Sequence, residues 1–225
     1  PPNLTPVSKL VFKKIDISDF DIIISCGRKS VIPSIYLKKS SKKKVFNIHI
    51  QDPKVSLGNF DLVIAPEHDN LRGKNVITSK GAIHYLTLDE IKNNHNYLAD
   101  KLKKNHEYIL LVLGGPNKYY DYEDQNLINI FGIIKKILNK NNLQAIVIPS
   151  MRTPKKTINL ANEHLGLENL VINNVDKKAY LSGLSLAKYI VVTCDSISMI
   201  SEAALTEKPI YIADIPAKRK DERFK

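Results

Sequence analysis

Short apolar runs rich in β-branched residues alternate with helix-patterned stretches along the whole chain. The runs at 21–25, 45–50, 61–65, 75–78, 108–113, 144–148, 169–172, 189–193 and 210–212 read as strands. Helical patterns fall at 31–38, 87–104, 123–139, 156–165, 177–187 and 197–205. Strands without polar alternation are strands buried on both faces. A chain that alternates strand and helix in this way folds as α/β, with parallel sheets and helices on both faces. The stripe Leu127, Ile130, Phe131, Ile134 and Leu138 shows how one such helix meets its sheet. A chain of 225 residues holds one large domain or two small ones. The long polar helix pattern that begins at Thr87 supplies the break, with Thr87 and Glu90 as a capping box. The expected layout is a Rossmann-like domain over 1–86, a linking helix over 87–106 and a second Rossmann-like domain over 107–225.

Composition removes several classes. The chain is 43% hydrophobic and 25% charged, as soluble globular proteins are. No apolar run approaches the roughly 18 residues of a spanning helix, and the start lacks a signal-peptide pattern. Cys26 and Cys194 make neither a disulfide framework nor a zinc site, which suits a reducing cytoplasm. The net charge of +11 suits nucleic acid or an anionic membrane surface, so a peripheral place at the inner membrane face is compatible with it. Lys42-Lys43-Lys44 is the dense cluster, however, and no aromatic residues interleave it. Lys, Asn and Ile share A/T-rich codons, so genome composition accounts for the charge and nucleic acid is not an expected partner.

Ligands of open α/β sheets bind at the carboxyl ends of strands. Candidate groups gather there in this sequence. Asp195, Ser196 and Ser198 stand where a helix begins, with free amides and a positive dipole end. Glu202 follows one turn deeper on that helix. The plain alternative is an ordinary N-cap and a solvated glutamate. Gly114-Gly115 after a strand lets backbone amides approach a phosphate, or serves only a tight turn. Tyr119, Tyr120 and Tyr122 follow, and one of them is placed to stack on a base. Arg28 and Arg152 each follow a strand, and the chain has only five arginines. A planar guanidinium grips phosphate in a way lysine does not. Gly27-Arg28-Lys29-Ser30 is an anion cradle or a plain strand–helix turn, and its spacing is not that of a Walker loop. His68, Asp69 and His84 are the acid–base candidates. Glu67, His68 and Asp69 are adjacent, and adjacent residues rarely converge on one ion, so no metal site is expected.

The motifs also carry a resemblance. The pattern D-S-x-S-M-x-S-E-A followed by K-P-I-Y, from Asp195 to Tyr211, resembles the nucleotide-sugar site of glycosyltransferases of GT-B architecture. More closely, it is similar to the plant mitochondrial fission protein family and its bacterial relatives, the latter described as predicted nucleoside-diphosphate-sugar epimerases. Ile50-Gln51-Asp52-Pro53, the segment from Phe60 to Asp69, Gly81-Ala82-Ile83-His84, Gly114-Gly115-Pro116 and Ser150-Met151-Arg152-Thr153-Pro154 extend the match in order over most of the chain. The resemblance implies an enzyme of glycosyl transfer that takes a nucleoside diphosphate sugar as substrate, with no cofactor and an acceptor the sequence does not name. Arg152, the Gly114-Gly115 amides and the helix start at Ser196–Ser198 would hold the diphosphate. Glu202 would bind ribose or sugar hydroxyls, and a base from the first domain would activate the acceptor. An epimerase and a non-catalytic adaptor are the rival readings. The resemblance further implies elements before the first strand and after Asp214, so both domains read as shortened here.

Overall fold

The computed structural model describes residues 20–219. The chain falls into two compact units that divide between Ile83 and His84.

In the first unit, β1 (Ile22–Cys26), β2 (Phe46–Ile50), β3 (Leu62–Pro66) and β4 (Val76–Ser79) form a parallel sheet in sequence order. A 3-10 turn at Arg28–Ser30 leads into α1 (Val31–Ser40). Pro33 lies in the first turn of α1, where its missing N–H has no helical partner to lose. The connections after β2 and β3 hold only 3-10 turns, because Asp52-Pro53, Gly58, Asn70 and Gly73 favour turns over helix. Val31, Ile35, Phe60 and Val63 make a small core, and Leu57 and Leu71 from the two connections pack on it. The register sets the opposite face: Ile22 lies beside Phe46, Ile24 beside Ile48, Ile48 beside Leu62 and Ile64 beside Ile77. Among the described residues no helix covers that face, and Ile22 and Ile24 are 57% and 68% exposed.

In the second unit, five parallel strands run in the order β7-β6-β5-β8-β9. They are β5 (Glu107–Leu113), β6 (Leu143–Pro149), β7 (Leu170–Val171), β8 (Tyr189–Thr193) and β9 (Ile210–Ala213). Alternate residues of the central strands feed two cores. Ile109, Leu111 and Val147 meet Leu127, Phe131, Ile134 and Leu138 of α3 (Asp124–Asn141) and Ala161 and Leu165 of α4 (Lys155–Leu165). Leu110, Val112, Ile146 and Ile190 meet Ala179, Leu181 and Leu184 of α5 (Lys177–Leu186) and Ala203 of α6 (Ile197–Ala204). Full burial of each such side chain contributes about 1.5–3 kcal/mol. Asn142 ends α3 in the left-handed conformation that asparagine tolerates.

The expected long helix at 87–104 is broken. α2 spans only Leu88–Asn93, and 3-10 turns follow at His95–Tyr97 and Ala99–Lys101. Asn93-Asn94-His95-Asn96 is a run of poor helix formers. Thr87 does cap α2, accepting the Glu90 N–H at 3.2 Å. Ile91, Leu98 and Leu102 join the core of the second unit.

Candidate functional site

The second sheet reverses its winding between β5 and β8. Successive strands step away from β5 on one side and from β8 on the other, which opens a crevice at their carboxyl ends. β5 and β8 pair from Ile109 and Tyr189 to Val112 and Val192. That register brings the Gly114-Gly115 turn next to Thr193-Cys194-Asp195. β6, on the other side of β5, delivers the Ser150–Pro154 turn to the same edge. Thr153 Oγ1 stands 2.8 Å from the Leu113 carbonyl and 2.6 Å from that of Gly114, which latches the two turns together.

Asp195 lies at the centre, and its side chain faces inward instead of toward a ligand. It is fully buried. Its Oδ1 accepts from the Tyr122 hydroxyl at 2.5 Å and the Thr193 hydroxyl at 2.7 Å. Its Oδ2 accepts from Arg152 Nη2 at 2.8 Å and from the Gly115 N–H at 3.1 Å. A buried carboxylate survives only when paired and hydrogen-bonded in this way. Burial, with the Asp195 charge behind it, pushes the Tyr122 hydroxyl well above the usual tyrosine range, so it stays a donor.

The two glycines answer to this packing. A Cβ on Gly114 would lie 2.1 Å from Asp195 Oδ1, and one on Gly115 would lie 2.0 Å from the Arg152 carbonyl oxygen. Their amides are also engaged, Gly114 with Thr193 Oγ1 at 2.8 Å and Gly115 with Asp195. The expected phosphate cradle of Gly114 and Gly115 amides is thereby corrected: neighbouring side chains already use those donors. The expectation that Asp195 meets the ligand is corrected on the same ground.

Three expected elements stay open to the edge. Arg152 has its side chain 43% exposed while Nη1 reaches the Gly115 carbonyl at 3.3 Å. Ser196 is the N-cap of α6 and makes no side-chain cap bond. The first-turn amides of α6 therefore keep their capacity for an anion, with Ser198 exposed on that turn. Glu202, one turn on, accepts from the Tyr180 hydroxyl at 2.9 Å. Burial and the Glu202 carboxylate push Tyr180 above its usual range.

The remaining candidates are placed as follows. Arg28, exposed, opens the 3-10 turn after Gly27, whose φ of 77° strains any other residue. His68 and Asp69 share the 3-10 turn after β3, with His68 Nε2 3.9 Å from Asp69 Oδ1. His84 opens the second unit, and its Nδ1 is buried without a hydrogen-bond partner among the described residues. Among the described residues no three His, Cys, Asp or Glu side chains are grouped to hold a metal ion. No helix among them is long and apolar enough to cross a membrane.

Tyr122 and Thr193 hold the Asp195 carboxylate, a place that sequence reasoning did not give them. Thr193 carried a signal, as a hydroxyl ending an apolar strand directly before Cys-Asp. Tyr122 read as a base-stacking candidate beside Tyr119 and Tyr120. Tyr120 instead packs with Cys194 and Ile215, and Tyr122 serves Asp195.

Comparison with known proteins follows the same lines. An uncharacterized protein of Rickettsia prowazekii (strain Madrid E) is 26% identical, over 85% of this chain and 64% of its own length. The mitochondrial fission protein ELM1 of Arabidopsis thaliana is 25% identical, over 85% of this chain and 51% of its own. The chain thus spans between half and two thirds of these curated relatives. The UDP-GlcNAc 2-epimerase from Neisseria meningitidis bound to UDP-GlcNAc superposes with a TM-score of 0.57 at 13% identity, over 93% of this chain and 62% of that one. A putative UDP-N-acetylglucosamine 2-epimerase from Listeria monocytogenes gives 0.58 at 14%, over 85% and 56%. At such identities the likeness shows the fold, two Rossmann-like units of the GT-B kind. The family model described as mitochondrial fission ELM1 matches residues 3–225, and the chain belongs to that family.

Proposed function

We propose that this protein binds a nucleoside diphosphate sugar and transfers its glycosyl group, with the diphosphate at the start of α6. One observation carries the reading: an uncapped helix start at the sheet's switch point stands beside an arginine whose guanidinium is already fixed. The helix end and Arg152 stabilise the charge that grows on a leaving diphosphate. Ser196 and Ser198 add hydroxyl donors. Glu202 accepts from ribose or sugar hydroxyls. His68, Asp69 and His84 are the candidates for the base that activates an acceptor hydroxyl. The reading uses no metal and no further cofactor.

Epimerisation of the nucleotide sugar is the second reading. The fold likeness to UDP-GlcNAc 2-epimerases favours it. A binding role without catalysis is the third, favoured by the name of the Arabidopsis relative. Calorimetric titration with UDP, UDP-GlcNAc and inorganic pyrophosphate tests the shared part. Binding of the nucleotides is expected, with Arg152→Ala weaker by about ten- to a hundredfold, as loss of a charge-assisted hydrogen bond implies. Glu202→Gln should weaken UDP but spare pyrophosphate. Release of UDP on addition of an acceptor marks transfer, and sugar interconversion without acceptor marks the epimerase. Wild type that binds no nucleotide leaves an ordinary helix start and the non-catalytic reading.

A further inference from the structure

We propose that Asp195 is a positioning residue, whose buried carboxylate fixes the Gly115 turn and presets Arg152 to grip a diphosphate that Asp195 itself does not touch. The inference rests on the reading of the α6 start as a diphosphate site. It goes beyond that reading by assigning the charge that organises the site to a group no ligand reaches.

The two oxygens of Asp195 divide the work. Oδ1 is anchored to the scaffold by Tyr122, just before α3, and by Thr193, at the end of β8. Oδ2 faces the turns that line the crevice and takes one donor from each, Gly115 after β5 and Arg152 after β6. With Oδ1 doubly held, the carboxylate has no freedom to rotate, and Oδ2 becomes a fixed point. Arg152 then sets one Nη on that point and the other on the Gly115 carbonyl. A guanidinium carries five N–H donors, so the rest remain for a ligand. An arginine ordered in advance does not have to be ordered at binding. Gly114 is part of the device, since any side chain there would displace the carboxylate.

A different physical account predicts the opposite sign. If Asp195 acted only through its charge, it would compete with the ligand for Arg152. Asp195→Asn would then tighten anion binding. Under positioning it loosens it. An asparagine that keeps its carbonyl on Tyr122 and Thr193 turns its NH₂ toward the Arg152 and Gly115 donors. Donor then faces donor, and the arginine is released.

The test is calorimetric titration of the full chain with UDP and with inorganic pyrophosphate. Asp195→Asn should weaken both by about tenfold, the lower end of what loss of an orienting partner costs at metal sites. Tyr122→Phe, which leaves Asp195 and Arg152 in place, should weaken both by a few-fold through the loosened Oδ1. In an Arg152→Ala background Asp195→Asn should add no further loss, because it acts through the arginine. Equal losses with and without Arg152 would mean a general structural role and overturn the inference. So would unchanged or tighter binding in Asp195→Asn, or in Tyr122→Phe should the asparagine variant not fold. Wild type that binds neither probe overturns the site reading and this inference together. Wild type that binds beside an equally competent Asp195→Asn overturns this inference alone.

Discussion

The second unit pairs the buried polar groups of its sheet and its cores, and the first leaves two buried side chains short of partners. In the second, Asp195 has four donors, Gln144 Oε1 takes the Lys103 N–H at 2.9 Å, and the Ser182 hydroxyl links the His95 carbonyl with the Leu98 amide. Both faces of its sheet carry a core. In the first unit His49 and Asn47 are fully buried beneath α1. His49 Nδ1 meets Ser25 Oγ at 2.8 Å, but His49 Nε2 and both side-chain polar atoms of Asn47 have no hydrogen-bond partner among the described residues. Among the described residues its core is four buried residues with three partly buried ones around them, and its other sheet face is apolar and exposed. Unsatisfied buried groups cost roughly 1–3 kcal/mol each. Stability is therefore uneven along the chain, and the proposed diphosphate site stands on the firmer scaffold.

One kind of substitution should move the two units in opposite directions. Asp195→Leu removes a buried carboxylate from its four donors, and breaking such a pair costs about 3 kcal/mol or more. Asn47→Leu removes a buried amide that has no partner and should stabilise its unit by about 1 kcal/mol. Hydrogen exchange under increasing urea resolves the units separately and reads both changes. A loss at Asn47→Leu would show that the amide is satisfied in solution, by water for example, and the contrast would shrink.

Acid should sharpen the same contrast. Burial holds His49 below its usual value of 6.5, with Asp52 pulling weakly the other way. From about pH 7.5 upward the ring is neutral folded and unfolded, and its contribution to stability is fully present. As pH falls, the unfolded chain takes up a proton that the native ring resists. Stability of the first unit then drops until the pH passes the lowered native value. Exchange protection in β1–β3 should fall between pH 7.5 and 5.5, and His49→Phe should flatten that fall. An unchanged slope in the variant would assign the effect to other groups.

Much of this was legible because periodicity is a local signal. The strands at 21–25, 45–50 and 61–65 share one sheet, and those at 108–113, 144–148 and 189–193 share the other. The helix after Glu123 was readable from its stripe. The helix at 87–104 was not, since Leu98 and Leu102 keep their burial through 3-10 turns that a helical template also fits. At the proposed site, residue types pointed to the carboxyl ends of β5, β6 and β8, where Gly115, Arg152 and Asp195 meet. They did not reveal direction. Whether Asp195 faces ligand or core turns on one residue of register after β8, and Gly114-Gly115 reads alike whether a phosphate or a carboxylate comes close. Tyr122 was beyond reach, because its partner lies 73 residues away and nothing local marks the pair.

The smallest effect concerns Lys208, whose position before Pro209 reads from sequence only as a helix stop. Its Nζ donates to the carbonyls of Leu184 and Ser185, both at 2.7 Å, near the end of α5. A cation there satisfies carbonyls the helix leaves unpaired and complements the negative end of the dipole. Burial works against it and pulls the Lys208 pKa down, so desolvation takes back part of what the carbonyls supply. Lys208→Met keeps the apolar stem and removes the charge. The expected loss is about 0.5–1 kcal/mol, in the second unit alone. Urea titration should show a lower midpoint with an unchanged slope. If Lys208→Met is as stable as wild type, desolvation cancels the whole bond energy. The second unit then carries one partly buried charge without net benefit, beside the fully buried amide of Asn47 in the first.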